Sequence, residues 1–110
     1  EGVLIIASGD MVHNLRLLRW PLDKAEPWAQ RAQNQFNDWL RRDARDWLAE
    51  PLAAGADFAL AIPTPEHYWP MLYALALRQR DDCLALFNGN VSEGATKMGT
   101  SLNRSCISLA

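Results

Sequence analysis

At 110 residues the chain has room for one domain or part of one, with a real core but only a modest buried fraction. Hydrophobic residues make up 49%, which excludes a disordered chain, and a formal charge of -2 with scattered Lys and Arg leaves no electrostatic footprint for nucleic acid. No apolar run approaches bilayer length and no signal segment opens the chain, so the expectation is a soluble, cytoplasmic protein without nucleic-acid or membrane partners.

The first element is the apolar run Val3-Leu4-Ile5-Ile6-Ala7, which predicts a strand buried on both faces. Such a strand normally has neighbours on either side. Either it is an unusual terminal strand or an upstream segment supplies them; the pattern favours a portion of a longer protein. The strand stops at Ser8-Gly9-Asp10 and the chain then presents His13. In open α/β sheets the C-terminal edge of a strand is where ligands sit, which makes His13 the first candidate for chemistry. A histidine in this position also serves commonly as a hydrogen-bonded structural residue. His67 is the only other histidine, and two imidazoles cannot close a metal site without carboxylates, water or ligands from elsewhere.

Asn14 to Trp20 is apolar enough for a short helix or a strand, ended by Pro21. Glu26-Pro27-Trp28 reads as a helix start, with proline where its missing N–H costs nothing. Trp28, Ala32, Phe36, Trp39 and Leu40 then recur at helical spacing, with Gln30, Arg31, Gln33, Asn34 and Asn37 opposite, and the helix is expected to end near Arg42. Residues 43–52 predict a second helix with Ala44, Trp47, Leu48 and Leu52 on one face, closed by Gly55. The aromatic stripe Trp28, Phe36, Trp39, Trp47 has the period of core packing rather than of a stacking platform.

Residues 56–62 are weakly patterned and lead into Pro63-Thr64-Pro65. Thr64 reads as an N-cap and Pro65 as the first helical residue, with Glu66 complementing the dipole; Tyr68, Met71, Leu72, Leu75 and Ala76 form the buried face of a helix to about Arg80. His67 then lies in the first turn, where the dipole favours a neutral ring with a free lone pair; the structural alternative is a hydrogen bond to a loop carbonyl. Residues 83–87 predict a strand, Asn88-Gly89-Asn90 a tight turn, 91–97 a polar loop and 98–109 a terminal strand. Cys83 and Cys106 sit in no CxxC pair and beside no histidine, so both are expected as buried free thiols. The expected fold is α/β: strands of a mixed sheet with packed helices, part of a larger α/β domain.

The two histidine segments, Ser8-Gly9-Asp10-Met11-Val12-His13-Asn14-Leu15 and Pro63-Thr64-Pro65-Glu66-His67-Tyr68, flank a helix carrying Phe36 and Trp39, and Met98-Gly99-Thr100-Ser101-Leu102 closes the chain. In order and spacing they resemble the C-terminal part of the class III extradiol ring-cleavage dioxygenases, in the 4,5-DOPA dioxygenase-like branch. The resemblance covers essentially the whole chain. It implies one divalent metal ion, Fe(II) in the ring-cleaving enzymes or Zn(II) in some members, held by histidines. It implies further that His13 is a metal ligand, and that His67 is a second ligand or a catalytic group facing the substrate. The substrates would be a small aromatic diol and O2; extradiol cleavage needs a metal with open positions for both. Asp10 is open to two uses, orienting the His13 ring or serving only the turn.

The chain lacks the Gly-His-Gly-Ser-Pro, Ser-Ala-His and Asp-His-Gly motifs of that family. The resemblance therefore implies that residues 1–110 are the C-terminal portion of the catalytic domain. An upstream segment of the same protein would supply the remaining ligands and the base. Two other readings stand beside this one: a non-catalytic zinc protein on the same scaffold, and a small helical interaction module, which an exposed Trp28–Trp39 patch would favour.

Overall fold

The computed structural model describes residues 4–7, 9–17, 25–86, 100–103 and 107–109. Strand β1 (Leu4–Ala7) is followed by a 3-10 turn at Leu15–Leu17, and then come four helices: α1 (Pro27–Arg41), α2 (Arg45–Ala49), α3 (Ala56–Ala61) and α4 (Trp69–Leu77). Strands β2 (Leu84–Leu86), β3 (Thr100–Asn103) and β4 (Ile107–Leu109) complete a mixed sheet in the order β1-β3-β4-β2. β3 runs antiparallel to both β1 and β4, while β2 and β4 are parallel, with Leu4 opposite Asn103 and Leu84 opposite Ile107. The terminal segment expected as one strand is thus two, paired with each other. This is the α/β class, a mixed sheet with packed helices. The predicted turn at 88–90 and the polar loop at 91–97 lie outside the described residues.

Helix α1 begins on Pro27 and ends through a left-handed residue, Asp43 (φ 53°). There the N–H of Ala44 reaches back to the Trp39 carbonyl at 2.9 Å and that of Asp43 to the Leu40 carbonyl at 3.3 Å. This satisfies two carbonyls that the helix end would leave open. The core is built on Phe36. Its ring lies 5.3 Å from Phe58 edge-on, 5.5 Å from Tyr68 and 5.7 Å from Trp39, all of them buried. The Tyr68 hydroxyl donates to the Leu48 carbonyl at 2.7 Å, tying the start of α4 to α2. Burial pushes that phenol up, so it remains a donor.

Several sequence expectations are corrected. The helix over 43–52 is broken: Pro51 has no N–H to continue α2, and a 3-10 turn (Pro51–Ala54) follows. Of its expected face only Leu48 is buried; Trp47 and Leu52 are exposed, and Trp47 stacks on Trp39. Gln33, assigned to the polar side of α1, is fully buried and donates to the Asn37 amide oxygen at 2.9 Å. Residues 56–61, weakly patterned in sequence, form α3 with Phe58 and Ala61 inward.

Helix α4 starts at Trp69, not Pro65, because Pro70 has no N–H to donate and is tolerated only in a first turn. It stops at Leu77, where Arg78 turns extended, and Ala76 faces outward. Cys83 is free but exposed. Trp39 is buried, so there is no exposed Trp28–Trp39 patch to favour an interaction module.

β1 was expected to be buried on both faces, and it is not. Ile5 and Ala7 pack towards the core, while Leu4 and Ile6 are 56% and 63% exposed. α4 likewise buries Met71, Ala74 and Leu75 but presents Trp69 and Tyr73, 50% and 73% exposed, on its other side. A helix apolar all round is normally one that is covered all round.

Phe36→Ala should cost about 3–5 kcal/mol, the usual range for emptying a buried aromatic site. Tyr68→Phe should cost about 1–2 kcal/mol, since it leaves the Leu48 carbonyl without its donor. Urea denaturation of both variants checks the order, and equal midpoints for Phe36→Ala and wild type would remove Phe36 from the centre of the core.

Candidate functional site

Two loops meet beyond the end of β1. One, residues 9–14, leaves the strand; the other, residues 62–68, joins α3 to α4. They are joined main chain to main chain: the Asp10 N–H donates to the His67 carbonyl at 2.8 Å, and the His13 N–H donates to the Ala61 carbonyl at 2.9 Å. Gly9 permits this approach. A Cβ built on it would stand 2.6 Å from the His67 carbonyl oxygen and 3.1 Å from Pro70 Cγ.

This contact brings the imidazoles of His13 and His67, 54 positions apart, to a ring separation of 4.9 Å with 44° between planes. His13 is only 5% exposed. Its Nδ1 faces the Asp10 carbonyl oxygen at 3.0 Å and its Nε2 the Thr64 carbonyl oxygen at 2.7 Å. A neutral ring carries one N–H and can donate to one of these; the imidazolium satisfies both. An Nδ1–H held by a main-chain carbonyl is also how metal-binding histidines are oriented, and it would leave Nε2 for an ion once the Thr64 contact is exchanged. His67 is exposed, in the turn before α4 rather than in the helix itself, with Nε2 3.9 Å from the Glu66 carboxylate.

Of the two uses open to Asp10 the structure shows the first, in altered form, and Asn14 gains a role that sequence did not assign. Asp10 orients the His13 ring through its main-chain carbonyl and not through its carboxylate. One carboxylate oxygen, Oδ1, is buried without a partner among the described residues, and burial pushes the group above the ordinary range against the opposing pull of His67 and His13. Asn14, buried, donates to the Leu60 carbonyl at 2.8 Å and accepts from the Arg16 N–H at 3.2 Å, so it clamps the turn after His13 to the end of α3. Its position directly after His13 is the one signal that pointed to it.

The imidazoles open on a cavity of about 250 Å³ whose lining includes Asn14, Arg16, Thr64 and Glu66. The Thr64 hydroxyl and the Glu66 main-chain N–H hold the Glu66 carboxylate below its usual range. Both imidazoles are donors of a type that suits a metal, and both ring nitrogens of His13 are engaged by main-chain carbonyls. Among the described residues no group of three or more His, Cys, Asp or Glu could hold an ion by itself.

Comparison with known proteins follows the same lines. No family model matches the chain. It is 39% identical over 83 residues to the 4,5-DOPA dioxygenase extradiol of Escherichia coli (strain K12), an alignment covering 68% of this chain and 29% of the relative. The chain therefore spans less than a third of that curated relative's length. Its fold matches the crystal structure of uncharacterized protein JW3007 from Escherichia coli K12 with a TM-score of 0.65 and 26% identity, over 86% of this chain and 40% of that one. The chain has a mixed α/β fold and is similar over 83 residues to a dioxygenase. The particular relation is to a dioxygenase named for extradiol chemistry on 4,5-DOPA.

Gly9→Ala should separate the two loops. We expect a loss of about 1–3 kcal/mol, typical of overpacking against main chain, together with changed imidazole proton shifts for both histidines. A variant that melts with wild type and keeps both histidine spectra would show that the loops are joined by something else.

Proposed function

We propose that this chain is the C-terminal portion of a metal-dependent dioxygenase that cleaves the ring of a catechol-type aromatic diol by extradiol insertion of O2. The observation that carries the reading is the convergence of His13 and His67 in a chain 39% identical to an extradiol dioxygenase over 83 residues. Both histidines would hold one divalent ion, Fe(II) or Zn(II), and His67 would in addition face the diol. When bound, Fe(II) supplies open positions for the diol oxygens and O2, chemistry that Zn(II) cannot drive.

The chain's own groups supply the setting. His13, buried, keeps a fixed ring orientation through its Nδ1 contact with the Asp10 carbonyl. His67, on the cavity side and near Glu66, has the freedom to hold or pass a diol proton at its ring nitrogen. The cavity lined by Pro63, Thr64 and Glu66 would take an aromatic ring beside both imidazoles.

An upstream segment of the same protein would complete the ligand set and bring the base. Support comes from the apolar surface left bare: Leu4 and Ile6 on β1, Trp69 and Tyr73 on α4. Among the described residues no helix is long and apolar enough to cross a membrane. The free Cys83 thiol suits a reducing compartment, the cytoplasm.

Elemental analysis and a ring-fission assay test the proposal. The 110-residue chain alone should retain little metal, whereas the protein extended upstream should hold one ion per chain and, after anaerobic Fe(II) loading, turn catechol and O2 into a yellow product. His13→Ala should lose the ion. His67→Gln should lose both the ion and turnover; a variant that keeps the ion but not turnover would remove His67 from the ligands and leave it facing the diol. Stoichiometric metal without ring fission would favour the zinc protein on the same scaffold, and tight binding by the chain alone would refute the need for an upstream segment.

A further inference from the structure

The loop between α3 and α4 is fastened firmly at its two ends and lightly in its middle. At the start Ile62 is buried and its N–H donates to the Phe58 carbonyl at 2.9 Å. At the end Tyr68 is buried, and the carbonyl of His67 accepts from the Asp10 N–H at 2.8 Å. The residues between these anchors, 63–67, are exposed. From the middle of that stretch the Thr64 carbonyl crosses to His13 and meets its Nε2 at 2.7 Å. This is the ring nitrogen an ion would need, because Nδ1 already faces the Asp10 carbonyl at 3.0 Å. The Thr64 side chain takes no part, since its hydroxyl donates to the Glu66 carboxylate. A residue that precedes proline is confined to extended backbone, so Pro65 limits the directions in which the Thr64 carbonyl can point.

We propose that residues 63–66 are a strap that latches the site: the Thr64 carbonyl caps His13 Nε2, and an ion reaches that nitrogen only after the strap lets go. On release the ring carries its proton at Nδ1, held by the Asp10 carbonyl, and Nε2 offers its lone pair. His67 directly follows the strap, so release of the cap and placement of the second imidazole are coupled. That the competitor is a metal ion rests on the function proposed above; the cap itself rests on Thr64 and His13.

Two measurements on the protein extended upstream separate these parts. Nitrogen-15 spectra of the metal-free protein should show His13 protonated at Nε2. Stopped-flow mixing with Co(II) alone, a coloured stand-in for Fe(II) or Zn(II), should give an uptake rate that levels off as Co(II) rises, because opening of the strap and not encounter becomes limiting. Pro65→Ala frees the Thr64 carbonyl to turn away. It should raise the rate at every Co(II) concentration about three- to tenfold, the scale of one net hydrogen bond. Pro65 is exposed and alanine keeps the carbonyl that accepts from the Tyr68 N–H, so the variant should melt near wild type.

A His13 Nε2 without its proton in the metal-free protein would overturn the cap. Equal uptake rates for wild type and Pro65→Ala would overturn the latch while leaving the metal reading intact. No uptake of Co(II) by a protein whose Nε2 is protonated would overturn the metal reading and the latch together, and leave His13 a structural residue.

Discussion

The contact on which the site depends is between two stretches of main chain. The N–H of Asp10 on the carbonyl of His67, possible only because Gly9 has no side chain, fixes where the loop leaving β1 crosses the loop entering α4. The His13 N–H on Ala61 and the His13 ring on Thr64 extend the same seam. Bonds of this kind are insensitive to side-chain rotamers, so the placement of the two imidazoles is a property of the backbone. That is an economical way to position a pair of groups: ligand and catalytic side chains work best on rigid supports, and a seam of main-chain bonds is more rigid than any exposed side-chain pair.

Much of this was legible from residues. The β-branched run of β1, Pro27 at the head of α1 and the Phe36–Trp39–Leu40 stripe all lie where local chemistry puts them. The errors have physical sources of the same kind. Pro51 and Pro70 carry the information that breaks one helix and delays the other, and each outweighed a pattern that ran through it. Gln33 is polar but caught inside because α1 is covered on more than its apolar stripe. The meeting of His13 with His67 is tertiary: no spacing between two loops states that they touch, and resemblance alone pointed to it. Gly9 held the local hint, as a glycine beside a candidate ligand often marks a close approach of backbone.

The two histidines are unequal, and the inequality bears on what each can do. His13 is buried with both nitrogens against main-chain oxygens, an arrangement that by itself describes a structural histidine. In the proposed role it would become a ligand by exchanging one carbonyl for an ion while the other continued to hold the ring. Since the Thr64 carbonyl belongs to the same loop as His67, that exchange would be felt across the seam. His67 has no such anchor; its ring is exposed, with only Glu66 near its Nε2. One fixed donor and one adjustable neighbour suit a centre that must keep its geometry while admitting reactants.

Residues 63–69 also face two ways. Thr64, Glu66 and His67 line the polar cavity, whereas Pro65, Tyr68 and Trp69 line an apolar hollow of about 380 Å³ together with Pro51, Ile62 and Leu72. Tyr68 is pinned from that side through its bond to Leu48. Polypeptide seated on the apolar hollow would gain burial at about 25 cal/mol per Å² and would at the same time hold the segment that carries His67. Completion of the apolar surface and fixing of the exposed imidazole would then be one event, which gives a physical reason for the site to be built across a seam that this stretch of chain leaves open on its outer side.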